Sequence, residues 1–443
     1  MKRLAALTGT IAALLLAVPA AAQVPRSPAD VIYAVNKGDT LWALSRKWFP
    51  GTPALKTVQR INRIADPRRI LTGRTLVVPR RVLSDVQSFA RIESFSGDVL
   101  VQPAGTPFPA RTGAMLGEGT LIRTGRGGFI SLRLADESVV TLPSQSAVRI
   151  VRLRRVLMTG AVERGFAAES GRLRATVTPM PDPGSNFEVR TPITVSAVRG
   201  TSFRVSYDPA AARAATEVED GNVAFAAGEA VDNGVMVTPG NGAISGADGP
   251  KGFTPLLAAP RLLDPDAAQT ADDLHFTAEP LAGAAGYRIQ VARDAGLLDL
   301  VAEDSGPGPA FTLPGLSTGT WFVRITALDP AGLEGLPRTY TFDRVRNTVA
   351  GAMGTSGTGF ERRYQFKWSG SADGVPQYRF QLARKDDPNR PVVDEPLGTA
   401  TELAVTSLPA GEYGWRVLSL VPHGARVIAA WSGEQGFEVT ARK

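Results

Sequence analysis

Side chains that could make or break bonds are scarce in this 443-residue chain. Cysteine is absent, and histidine occurs only as His275 and His423, far apart in the sequence. Disulfides, thiolate metal sites and cysteine nucleophiles are thereby excluded, and two distant histidines assemble neither a metal cluster nor a Ser-His-Asp relay. The clustered carboxylates Asp264 with Asp266 and Asp272 with Asp273 fall in turn-rich sequence, where such groups usually cap backbone amides. Glycine-rich stretches follow strands and open no helix, so no phosphate loop is expected. We therefore expect no catalytic residue, no metal and no cofactor, and what remains is recognition. A wall hydrolase would need a His or Glu constellation that these residues do not supply.

Recognition chemistry is concentrated between Val31 and Arg81. A short apolar strand ends at Gly38, which can adopt a turn conformation that other residues resist, and Asp39 or Thr40 then offers an oxygen to cap a helix. Leu41, Leu44 and Trp48 recur at helical spacing and should face a small core, whereas Trp42 reads as packing near the helix start. A second helix is expected from about Leu55 to Asn62, carrying Val58 and Ile61, with Phe49 to Pro53 as a lengthened connection. Gly73 should turn the chain into a closing strand from Thr75 to Val78. The unit reads β-α-α-β.

That order of features resembles the LysM module, through Tyr33-x-Val35, Gly38-Asp39-Thr40-Leu41-Trp42, Asn62-x-Ile64, Pro67 before Ile70, Gly73 and Val78-Pro79. The resemblance implies binding of N-acetylglucosamine-containing glycan, in bacteria the glycan strand of peptidoglycan. It places the sugar in a shallow groove between Gly38, Asp39, Thr40 and Leu41 on one side and Ile64, Ala65, Asp66, Pro67 and Arg68 on the other. Backbone groups of the two loops are expected to make most of the contacts.

The chain opens with Met1-Lys2-Arg3, an apolar run from Leu4 to Val18 and the small residues Ala20-Ala21-Ala22, the pattern of a secretory signal peptide over residues 1–22. No later segment has the length and apolarity of a membrane span. The mature protein is expected in the periplasm or cell envelope, and without cysteine it is not lipidated. Its formal charge of +7 is unevenly placed, because residues 31–81 hold eleven Lys and Arg against Asp39 and Asp66. The rest of the chain is correspondingly acidic. An exported basic surface suits wall carboxylates within about a Debye length, and export argues against nucleic acid as the partner.

From Ser84 to about Ser245 the pattern becomes short alternating apolar runs broken by glycine, an all-β signature with almost no helix expected. Leu116 to Gly125, Leu134-Ala135-Asp136-Glu137-Ser138 and Val198-Arg199-Gly200-Thr201-x-Phe203-x-Val205 resemble the FecR domain. The resemblance implies a solenoid-like β coil. The family's better-known members are membrane-spanning regulators, and the signalling role does not carry over to a chain read as lacking that span. Gly200 and Thr201 read as a tight turn and a strand hydroxyl, and Arg149, Arg152, Arg154 and Arg155 as a solvated strand face.

Beyond a Gly- and Pro-rich connector at residues 246–260, expected to be extended and poorly packed, the chain repeats itself. Tyr287 to Ala292 returns as Tyr378 to Ala383, and Gly319 to Ile325 returns as Gly411 to Val417, an offset of 91 to 92 residues. That period suits a β-sandwich domain and is too long for a solenoid repeat. Both copies, residues 261–345 and 360–441, resemble fibronectin type III domains, with Trp368 as core tryptophan in the second and Thr277 at the matching place in the first. A second flexible joint is expected across Gly351 to Gly359. The expected fold is multidomain and mainly β, and the expected function is non-catalytic binding of peptidoglycan, with protein partners in the envelope. The competing reading is a periplasmic signalling or sensor protein whose FecR-like part binds a ligand or receptor.

Overall fold

The computed structural model describes residues 30–103, 105–182, 184–228, 234–246, 249–356 and 362–440. The segment read as a signal peptide lies outside them, as do Gly357 to Gly359. Among the described residues no helix is long and apolar enough to cross a membrane.

The N-terminal unit is a two-stranded antiparallel sheet of β1 (Val31–Ala34) and β2 (Thr75–Val78), with Val31 opposite Val78 and Ala34 opposite Thr75. Helices α1 (Leu41–Trp48) and α2 (Gly51–Ile61) lie between them in sequence. Leu41, Leu44, Val58, Leu76 and Val78 are buried together, as their spacing requires. Helix α2 begins four residues before the expected start. Gly51, Thr52 and Pro53 form its first turn, where a proline lacks no needed N–H, so the lengthened connection is helix. Ile61, expected inside, ends the helix on the exposed side.

This unit does not end its core at Arg81. Val82, Leu83, Val156 and Ala161 belong to the same buried cluster. Arg80 adds an ionic clasp, with Nε 2.5 Å from Glu163 Oε1 and a terminal nitrogen 2.8 Å from Asp85 Oδ2. Arg152 meets Glu163 at 2.6 Å, Arg154 meets Glu118 at 2.5 Å and Asp85 at 3.1 Å, and Arg149 meets Glu169 at 2.8 Å. Three of the four arginines expected to face water are thus ion-paired, two of them in the seam with the N-terminal unit.

Residues 85–255 form an all-β body of two long ladders. The strand Val162–Thr176 serves both: residues 163–167 run parallel to Asn186–Arg190, and residues 171–176 run antiparallel to Ser202–Asp208. The transfer occurs at Gly171, whose φ of 76° is left-handed and whose missing Cβ would stand 2.3 Å from the Gln145 carbonyl oxygen. Strict alternation supplies the core, with Phe187 and Val189 inside and Glu188 and Arg190 outside on one strand. Phe166, Phe187 and Phe203 stack through it at 5.4 and 6.1 Å between ring centroids.

Two β-sandwiches follow. The first packs the pair Leu274–Thr277 and Ala310–Leu313 against a sheet ordered Leu300–Gly306, Gly286–Ala292, Gly319–Leu328 and Arg338–Arg344. The second packs Asn347–Ser356, Arg363–Ala372 and Glu402–Thr406 against a sheet centred on Gly411–His423. Trp368 is buried beside Phe380 and Tyr378. In the first sandwich Thr277 faces out, and Phe276, one residue earlier, fills the core against Phe342 at 5.1 Å.

Among the described residues, both expected joints carry strand pairing. Gly249–Pro255 is a strand paired with Asn241–Gly246, because residues between the glycines can still ladder, and Asn347–Ser356 pairs along its whole length with Arg363–Ala372. The all-β body and the first sandwich also share a buried junction. Ala215, Ile244 and Leu256 pack on Leu333, and Phe129 packs on Ala292, Leu297 and Leu300. Beside these lies Glu334, whose Oε2 is 2.8 Å from both Arg172 and Arg288 and whose Oε1 accepts from Thr326 at 2.9 Å. Arg204 donates to the Glu334 and Gly335 carbonyl oxygens at 2.5 and 2.8 Å, and the Glu334 N–H donates to Glu217 at 3.2 Å.

The junction has a definite pH response. Burial alone would raise the Glu334 carboxyl, but Arg288, Arg204 and Arg172 outweigh it and hold it well below the ordinary carboxylate range. Glu219 is lowered in the same way by Arg174 and Arg204 against the effect of burial, whereas burial pushes Glu217 up. In the other seam, Asp85 is lowered by Arg80 and Arg154 despite burial, and Glu118 is lowered chiefly by Arg154. A lowered carboxylate stabilises the fold above its ordinary pKa, about 4, and loses that contribution as pH falls toward its folded value. Glu217 has the opposite sign, contributing fully below its ordinary value and less as pH rises. Four groups outweigh one, so the melting temperature should fall on acidification from about pH 6 to about pH 3, followed by circular dichroism. A melting temperature that holds or rises over that interval contradicts this balance.

Candidate glycan-binding site

The two loops named by the sequence lie side by side. The Trp42 N–H donates to the Pro67 carbonyl oxygen at 3.3 Å, tying the start of α1 to the loop after α2. Thr40 is the helix cap, its Oγ1 accepting from the Ala43 N–H at 3.0 Å. Asp39 instead closes its own turn, with Oδ2 accepting from the Tyr33 hydroxyl at 2.7 Å and the Asn36 N–H at 2.8 Å. Burial and the hydrogen bond to Asp39 raise the Tyr33 phenol above its usual pKa.

In the second loop, Asp66 Oδ1 accepts from the Arg68 N–H at 2.8 Å, an Asx turn that fixes its shape. The base of this loop is held by Asn62, whose amide nitrogen donates to the Val77 carbonyl at 2.7 Å while its oxygen accepts from the Val77 N–H. Asn62 also caps the end of α2, so one side chain positions helix, loop and closing strand. Sequence reading placed Asn62 only in a motif. Its signal was a polar residue at the end of an apolar helix face, where burial demands paired hydrogen bonds.

Among the nine expected site residues, Gly38, Ala65, Asp66 and Arg68 are exposed and Asp39, Thr40 and Pro67 are half-buried. Leu41 and Ile64 are in the core, so only their backbone can meet a ligand. Gly38 has a φ of 90° and nothing within 4 Å of where a Cβ would stand. Both carboxylates accept hydrogen bonds from their own loops. Trp42 is not packed inside as expected but is 54% exposed, with the Arg46 guanidinium 5.1 Å over its ring. Its exposed indole and the basic residues around it form a surface suited to carbohydrate and anionic groups.

Within the all-β body the turns of the sequence motifs are tied into the fold. Asp136 pairs with the buried Arg164 at 2.7 Å and accepts from the Ser138 hydroxyl at 2.6 Å. A Cβ at Gly200, whose φ is 109°, would stand 2.6 Å from Pro179 Cα, and the Thr201 hydroxyl donates to the Asn222 carbonyl at 3.0 Å. No group of three His, Cys, Asp or Glu residues that could hold a metal is found among the described residues.

Comparison with known proteins agrees with the sequence motifs. Residues 33–79 match the LysM domain and residues 120–224 match the FecR protein family. No curated protein matches the chain. Among solved structures, one described as an anti-sigma factor from Parabacteroides distasonis is 23% identical over 30% of this chain, with a TM-score of 0.24, and the chain spans 57% of its length. A two-domain fibronectin type III segment of chicken tenascin is 16% identical, over 42% of this chain and 99% of its own, with a TM-score of 0.22. Fibronectin(III)-like modules of CbhA from Clostridium thermocellum are 12% identical, over 40% of this chain and 92% of theirs, with a TM-score of 0.20. The chain thus carries a LysM domain at residues 33–79 and a FecR domain at residues 120–224, within a mainly β multidomain fold.

Proposed function

We propose that this chain is an exported, non-catalytic protein of the cell envelope that binds the glycan strands of peptidoglycan. The loops 38–41 and 64–68 of the LysM domain hold the sugar, and the FecR domain and the sandwiches are presented for contact with envelope proteins. The observation that carries the reading is the LysM match on a segment whose two loops are joined by the Trp42–Pro67 hydrogen bond and keep Gly38, Ala65, Asp66 and Arg68 exposed. The FecR match supports a second reading, a periplasmic signalling or sensor protein in which the LysM domain only localises the chain.

Full-length protein should co-sediment with purified peptidoglycan, and oligomers of N-acetylglucosamine should compete. Raising salt from about 0.05 to about 0.5 M should weaken binding without abolishing it, since screening removes the long-range attraction and leaves hydrogen bonds and sugar packing. Protein that stays in the supernatant at low salt overturns the proposal.

A further inference from the structure

The buried junction between the FecR-containing body and the first sandwich encloses a cavity of about 30 Å³. Five arginines, Arg172, Arg174, Arg204, Arg288 and Arg324, line it. Arg172, Arg174, Arg204 and Arg288 are paired among four glutamates, Glu217, Glu219, Glu303 and Glu334. Even with every carboxylate ionised, one positive charge has no counter-charge.

That charge has a location. Arg324 is 9% exposed and donates through Nε to the Thr339 hydroxyl oxygen at 3.2 Å, but among the described residues no carboxylate lies within 4 Å of it. Burial first and the neighbouring Arg174 guanidinium next depress its pKa, and the more distant Glu219 and Glu334 only partly offset them. Two further cavity-lining atoms, Arg174 Nε and Arg204 Nε, are buried without a hydrogen-bond partner among the described residues, as is Glu217 Oε2. Glu217 Oε2 is 3.7 Å from Arg204 Nε, too far for a hydrogen bond, and burial favours its protonated form, which would donate into the cavity. Buried donors in native proteins are satisfied.

We infer that the junction cavity binds one monatomic anion, chloride being the available one, held by the Arg324 guanidinium with Arg174 and Arg204. The volume corresponds to about two water-sized positions, a size that suits a halide. The anion would act as a third party in the domain contact, neutralising the charge that the two domains together bury.

Crystals of the full chain grown in bromide should show anomalous density in this cavity. In solution, replacing gluconate by chloride at constant ionic strength should raise the melting temperature saturably, by about 2–4 °C. An Arg324→Met variant should lose that halide dependence, and the wild-type halide series stands by itself if the variant does not fold. A cavity without anomalous density, or a wild-type melting temperature indifferent to the halide, overturns the inference.

Discussion

Replacing Glu334 by alanine should destabilise the full chain by about 3–5 kcal/mol, the cost of leaving buried charges without their partner. Arg172, Arg204 and Arg288 all converge on this one residue, through its carboxylate or its carbonyl. Removing the side chain leaves Arg172 without its carboxylate, takes one carboxylate each from Arg288 and Arg204, and unsatisfies the Thr326 hydroxyl. Urea unfolding followed by tryptophan fluorescence should show the loss as an earlier transition. Limited proteolysis should show its place: residues 249–255 are protected by strand pairing in the parent chain and should become an early cleavage site in Glu334→Ala. A variant with parental stability and parental cleavage would mean that the two domains are held by the apolar contacts of Leu333, Leu256 and Phe129 alone.

A bulky side chain in the loop after α2 should abolish glycan binding without unfolding the domain. Ala65 is exposed and follows Ile64, which anchors the loop in the core. Ala65→Trp adds volume on the second of two loops that the Trp42–Pro67 hydrogen bond holds together, where the proposed function seats the sugar. Binding to peptidoglycan should fall at least about tenfold, the equivalent of about 1.4 kcal/mol. The same substitution at Ile32, exposed on strand β1 and outside both loops, should leave binding unchanged. Equal losses in both variants would point to general destabilisation.

The LysM unit was legible because its signals are local. Leu41 and Leu44, the turn at Gly38 and the strand at Thr75–Val78 each depend on neighbours a few residues away. The same local reading anticipated the positive φ of Gly200, whereas Thr201, expected as a strand hydroxyl, lies just ahead of the strand Ser202–Asp208 and donates to the Asn222 carbonyl. It failed where distant parts of the chain meet. On Ser202–Asp208, alternation turns Phe203 and Val205 to the core and Arg204 to the opposite face, yet all three are buried. A neighbouring domain covers that face, and the covering residue, Glu334, sits in a glycine-flanked turn that reads as ordinary loop. Likewise the glycines of 249–255 suggested a flexible joint, although the strand partner Asn241–Gly246 fixes it. The signal available in the sequence was the recurrence of Arg and Glu on one face of several strands, more charge than a solvated face needs.

The central claim is that the paired loops of residues 38–41 and 64–68 hold glycan, and its most direct test is sedimentation of full-length protein with purified peptidoglycan at physiological salt, parent beside Ala65→Trp. The account predicts that the parent pellets, that N-acetylglucosamine oligomers release it, and that Ala65→Trp remains in solution with an unchanged melting temperature. Ala65→Trp pelleting as fully as the parent would contradict it.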